Sequence, residues 1–255
     1  MRIRQLNVFP VKSAGGTSVP EAEVVATGLR HDREFMVIRP DGRHLSQREV
    51  PRLALVRPSF DGVKLALRAG GETLVYEVGD GAERPVTVHG QECSGLDQGD
   101  EAAGWLAGVL DVPCRLVRFA GERRARRGGL MTYADGEPLS VLSVESLDDL
   151  NARLESPVGL DRFRPNLVLE GLGPYAEDGL RVVRVGEVEI ELIRPTGRCV
   201  IVNTDQETAR RGREPLKVLG SYRARDFEGQ RSIMFGRLGV PRRGGVIRVG
   251  DEVSA

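Results

Sequence analysis

The sequence predicts a mostly β fold of the α+β class, on three observations. Short apolar runs recur between turn residues through the first ninety positions. Val188, Ile190 and Leu192 alternate with Glu187, Glu189 and Glu191, the period of a strand with one dry and one wet face. Helical periodicity is confined to residues 97–110 and 143–154.

Taken in order, Ile3, Leu6 and Val8 open a first strand, and further strands are expected at 22–25, 35–38, 53–56, 63–67 and 85–88. Pro40-Asp-Gly42, Asp61-Gly62 and Gly70-Gly71 supply turn chemistry between them. This is the pattern of an antiparallel barrel or sandwich. The first helix is expected over 97–110, capped by Asp100, with Trp105, Leu106, Val109 and Leu110 on one face. Ser143 caps the second, which buries Leu147, Leu150 and Leu154. Strands at 166–170 and 181–193 follow, and a segment over 245–253 closes the fold. No Gly/Ser or Pro-rich linker interrupts the chain, so two packed parts are expected, residues 1–95 and 96–255.

Composition narrows the function. The chain has 255 residues, 40% of them hydrophobic, enough for a substantial core. Its 37 basic and 37 acidic residues balance, so nothing in the net charge favours nucleic acid or an anionic membrane as partner. Cys93, Cys114 and Cys199 are far apart and odd in number, which argues against a disulfide framework and a structural zinc site and fits a reducing cytoplasm. No apolar stretch is long enough to span a bilayer. Phosphate-binding glycine loops, G-x-S-x-G and H-E-x-x-H are all missing, which removes support for nucleotide hydrolysis and simple hydrolase chemistry. Of three histidines, His89 falls in a strand as a structural residue, and His31 is at most a supporting one.

The run Arg194-Pro-Thr-Gly-Arg-Cys-Val-Ile-Val-Asn-Thr-Asp205 is the chemical centre of the chain. Pro195 and Gly197 are expected to break the preceding strand, and Val200 to Val202 to begin another, leaving Cys199 on the turn between them. Two readings stand for this thiol: a small packed hydrophobe, or a placed nucleophile or soft-metal ligand whose thiolate Arg198 and Arg194 would favour. The densest charge run, Glu122-Arg-Arg-Ala-Arg-Arg-Gly-Gly129, reads either as a solvated loop or as a flap over an anionic occupant.

Three blocks, in order along the chain, resemble the MOSC family, and in particular its amidoxime-reducing members. The first is Phe9-Pro-Val-Lys-Ser13 with Gly28-Leu-Arg30, Asp32-Arg33 and Pro51-Arg-Leu53. The second is Phe163-Arg-Pro-Asn166 with Tyr175-Ala-Glu-Asp178. The third is Arg198-Cys199, Asp205, Glu214-Pro-Leu216 and Ser221-Tyr-Arg223. The resemblance implies an N-terminal β-barrel packed on a MOSC β-barrel with a few helices and the cofactor in the cleft between them. It also implies a molybdenum–molybdopterin cofactor, with Cys199 as the protein's ligand to the metal and as the catalytic residue. Lys12, Ser13, Arg33, Arg164, Asn166, Gly197 and Arg198 match the family's cofactor-binding positions, and a cationic, donor-rich set suits a phosphate and a polar pterin ring. At family level the resemblance also carries an association with pyridoxal phosphate.

The implied activity is reduction of small N-hydroxylated compounds. The chain carries no four-cysteine iron–sulfur cluster, so electrons would come from a separate electron-transfer protein of ferredoxin or flavin type. Two alternatives remain open: a sulfur carrier holding a persulfide on Cys199, and a non-catalytic molybdopterin-binding module. Asp205 either orients the loop after Cys199 or pairs with an arginine. The chain departs from its relatives at Asn203-Thr-Asp-Gln-Glu-Thr-Ala209, which lacks the family's Pro and Gly, and at Leu238, which stands where animal members place an aromatic.

Overall fold

Alternating apolar residues bury one face of the strand Val188–Arg198, and this strand anchors the largest sheet. The computed structural model describes residues 1–255. In that eight-stranded sheet the order is Val182–Val185, Val188–Arg198, Gln230–Arg243, Leu139–Ser143, Leu167–Glu170, Arg2–Val8 and Thr17–Val19, with Ala224–Phe227 paired onto Gln230–Arg243. Only Leu139–Ser143 and Leu167–Glu170 run parallel; α2, Val144–Asn151, lies between them in sequence and makes the crossover such a pair needs. A four-stranded sheet joins Phe35–Ile38, Arg115–Ala120, Gln91–Asp97 and Glu83–Val88, and two three-stranded sheets complete the mostly β fold.

Two main cores follow. One packs Phe35, Leu53, Leu65 and Leu67 against Leu106 and Leu110 of α1, Gly99–Leu110. The other gathers Ile3, Leu6, Val141, Leu167, Leu169 and Ile190 on the large sheet. A smaller one holds α2 and α3, Leu216–Tyr222, around Phe163 and Phe235. Each fully buried Leu or Phe contributes about 1.5–3 kcal/mol, so these clusters dominate the cohesion between elements. The first strand belongs to the large sheet, where Leu6 lies opposite Leu167, and the strand Gln91–Asp97 runs through the 95/96 division expected from sequence.

Several local expectations are corrected. Residues 53–56 lie in and just after a 3-10 turn, Pro51–Leu55, because Pro51 starts a tight turn readily and cannot donate to a ladder. Pro195 and Gly197 do not break their strand: it continues to Arg198 through register shifts that absorb both residues. Val200–Asn203 is a 3-10 turn, not a strand. Asp100 does not cap α1; the Asp97 carboxylate accepts from Gly99 N at 2.8 Å, and Asp100 pairs with Arg115. Ser143 does cap α2, accepting from Ser146 N. His89 is not in a strand but on a left-handed turn at φ 50°. The long strand Gln230–Arg243 was not expected, since its alternation is diluted by arginines at both ends.

Candidate active site

All eight residues singled out from the sequence line one cavity of about 320 Å³: Lys12, Ser13, Arg33, Arg164, Asn166, Gly197, Arg198 and Cys199. They arrive from three directions. Lys12 and Ser13 follow the first strand on a turn in which Ala14 N donates to Val11 O, with Ser13 at φ 64°. Arg33 is tied into the same region by Arg33 N donating to Phe9 O at 2.7 Å. Arg164 precedes the strand Leu167–Glu170 at φ 55°, and Cys199 follows the end of Val188–Arg198.

Burial sets the electrostatics. Arg33 and Arg164 both stack on Phe9, at 4.6 and 4.3 Å from the ring centroid. Desolvation, with the neighbouring Arg33 charge, pushes Arg164 down to about 9, and burial pushes Arg198 down to about 10. Both guanidiniums are thus charges that burial has stripped of much of their solvation. Arg198 donates from Nε to Phe235 O and from Nη1 to Phe163 O, both at 2.8 Å, while its buried Nη2 has no partner. The buried Thr196 hydroxyl is also unpartnered. An unsatisfied buried donor costs about 1–3 kcal/mol, so a polar group brought within reach of either atom would be stabilised there. At Gly197 an added Cβ would meet only Ser232 Cβ, at 4.0 Å, so the surrounding protein does not itself demand glycine.

Asn166 has a different part. It is fully buried, and its Oδ1 accepts from Arg33 Nη1 at 2.9 Å and from Ser140 N and Oγ at 3.1 Å. Its Nδ2 donates to Asn7 O and to Asp32 Oδ1. The side chain clamps three segments, and its polar atoms are already engaged within the protein.

The cation touching the thiol is neither Arg198 nor Arg194. Arg48 Nη2 donates to Cys199 Sγ at 3.4 Å, across 151 residues of chain, whereas Arg194 faces Glu137. Sequence reasoning missed Arg48, which sits in a polar loop without periodic signal. It also missed Asp135. That carboxylate pairs with the Lys12 ammonium and accepts from His89 Nε2 at 2.6 Å. Its side chain stays half-exposed, and although desolvation in the cleft would raise its carboxyl, the Lys12 charge and the His89 hydrogen bond outweigh that and hold it well below the usual range. The Asp135-Gly136 pair after a basic run was the available signal, and it reads first as a turn. Asp205 fills both roles left open for it, pairing with Arg162 at 2.8 Å and accepting from Glu207 N, Thr208 N and Thr208 Oγ1. Leu238 lines the same cavity.

His44 packs edge-on against His89, with centroids 4.6 Å apart. Burial first, then the Lys12 and His89 charges, push its imidazole down to about 4 from 6.5. The unfolded chain therefore takes up a proton below 6.5 that the folded protein refuses until about 4. The His44 contribution to stability is complete above 6.5 and is lost as pH falls toward 4. Thermal melts across this range should show the loss in the wild type and a flatter profile in His44→Gln.

Residues 1–113 match the MOSC N-terminal beta barrel domain and residues 129–254 the MOSC domain. The chain belongs to the MOSC family. Mitochondrial amidoxime-reducing component 1 of Mus musculus is 38% identical over 98% of this chain and 81% of its own length. The Homo sapiens protein of the same name is 36% identical over 98% and 82%, and mitochondrial amidoxime reducing component 2 of Bos taurus is 34% identical over 98% and 82%. In this MOSC protein no cluster of three His, Cys, Asp or Glu side chains could hold a bare metal ion. One half-buried thiol among cations suits instead a metal that brings its own chelating donors. No helix is long and apolar enough to cross a membrane.

Proposed function

We propose that this protein is a molybdenum-cofactor-dependent reductase of small N-hydroxylated compounds, supplied with electrons by a separate electron-transfer protein. One observation carries the reading: seven lysine and arginine side chains and two carboxylates surround a cleft into which a single cysteine opens. Such a cleft favours an anionic occupant with its own metal-binding donors. The names of relatives aligned over 98% of the chain support amidoximes as the substrate class.

When bound, the molybdenum–molybdopterin group would supply two-electron chemistry at a metal. Cys199 would be its protein ligand. Lys12, Ser13, Arg33, Arg164 and Arg198 would hold its anionic and polar atoms, with Arg198 Nη2 and Thr196 Oγ1 gaining the partners they lack. Gly197 would let it approach the backbone, and Asn166 would keep Arg33 in place. Asp135, held ionised by Lys12 and His89, would orient an N–OH group by accepting its proton in a hydrogen bond. Lys12 is the one lysine on the cleft, and its ammonium also pairs with Asp135 and donates to the Tyr133 carbonyl. The three unpaired thiols keep a reducing cytoplasm as the proposed location.

The test is metal and pterin analysis of protein made in a host that produces the cofactor, followed by an amidoxime assay with a chemical electron donor. Near-stoichiometric molybdenum with turnover is expected. A metal-free protein carrying a Cys199 persulfide would replace this reading with a sulfur carrier, and bound cofactor without turnover would replace it with a binding module.

A further inference from the structure

Beside the cleft lies a second cavity of about 410 Å³, to which the basic loop contributes Arg123, Arg126 and Arg127. The two cavities share His89, Gly136, Glu137 and Arg194. Glu137 therefore stands in the wall between them. Its side chain is 1% exposed, its only cationic contact is Arg194 Nε at 3.5 Å, and its buried Oε2 has no partner. A carboxylate so placed is poorly compensated as an anion and less penalised as an acid.

We propose that Glu137 is a proton relay, taking protons from the outer arginine-lined cavity and passing them into the cleft. The inference rests on the reductase reading, whose balance demands protons: R–NH–OH + 2 e⁻ + 2 H⁺ → R–NH₂ + H₂O. The N–O bond breaks, two electrons from the electron-transfer protein reduce the nitrogen, and the oxygen leaves as water. Arginines are poor proton donors, and Asp135 is held as an anion by Lys12 and His89. Of the titratable side chains that line both cavities, His89 is engaged with Asp135, which leaves the Glu137 carboxyl, and it returns to its starting state by taking a proton from solvent in the outer cavity.

The charged groups around it are Arg194 and Arg242 from the neighbouring strands, Arg127 from the basic loop, Glu228 from the hairpin beyond, and His89 and Asp135 inside the cleft. Burial raises the Glu137 carboxyl above its ordinary value against the pull of Arg194, Arg127 and Arg242. Two carboxyls two residues apart are thus pushed in opposite directions, the arrangement that divides acid and anion roles in a site.

The test uses wild type, Glu137→Gln and Glu137→Asp in the full chain, with two independent readouts. Infrared difference spectra of wild type against Glu137→Gln should contain a protonated-carboxyl band that persists above the ordinary Glu range and shifts in D₂O. Its absence, or its failure to exchange, overturns the relay whether or not the protein turns over substrate. With an amidoxime, Glu137→Gln should lower kcat by about 100-fold with KM unchanged and erase the alkaline limb of the pH profile, while Glu137→Asp restores part of the rate. A variant with the wild-type kcat and pH profile overturns it too. A side chain needed only for packing would move the melting temperature and cofactor content and leave the pH profile intact. A wild type that reduces no N-hydroxylated compound sinks the reductase reading alone, and the infrared band then decides the relay by itself.

Discussion

Cys199→Ala is expected to abolish amidoxime reduction, by more than about 100-fold, while leaving the fold in place. Cys199 is only half-buried and lies outside every core cluster, and its side-chain contact is the Arg48 guanidinium at the cleft mouth. Removing one sulfur from such a position costs less than about 1 kcal/mol of stability. Chemistry and folding therefore separate cleanly in this variant. Molybdenum content, turnover and melting temperature should be measured on the same preparation. Wild-type turnover by the alanine variant would exclude Cys199 from the chemistry. A large drop in melting temperature would instead place the residue in the core.

Asn166→Ala should do the reverse. Its amide satisfies Arg33, both Ser140 donors, the Asn7 carbonyl and Asp32 in a fully buried network, so truncation leaves several polar groups bare at once. Each bare group costs about 1–3 kcal/mol. With partial relaxation a total of about 3–5 kcal/mol is expected, which for a chain of this size lowers the melting temperature by roughly 10 °C. The effect should appear in cofactor-free protein, because the network is complete without a ligand. A stable variant that merely binds cofactor more weakly would restore Asn166 to the direct ligand-binding role implied by its motif.

The contrast between these residues marks where sequence reading succeeds. Asn166 of the Phe163-Arg-Pro-Asn166 block lines the cleft, but its position in the motif is silent on the five hydrogen bonds that consume it. The 188–192 alternation identified a strand, yet the pairing with Gln230–Arg243 that carries it past Pro195 depends on bulges set by the partner strand. The 53–56 run is apolar enough for a strand and becomes a turn because Pro51 starts it.

What the sequence by itself determined is the β-rich class, the two helices with their buried stripes, and eight residues that converge on one cleft. Periodicity and turn chemistry are local, so they survive in one dimension. Tertiary structure alone decided which guanidinium touches the thiol, Arg48 rather than its sequence neighbours Arg194 and Arg198. It also assembled Lys12, His89 and Asp135 into one ionic cluster and set Glu137 between two cavities. The physical reason is that charge and proton affinity depend on burial and on neighbours far away in the chain, and no local pattern records either.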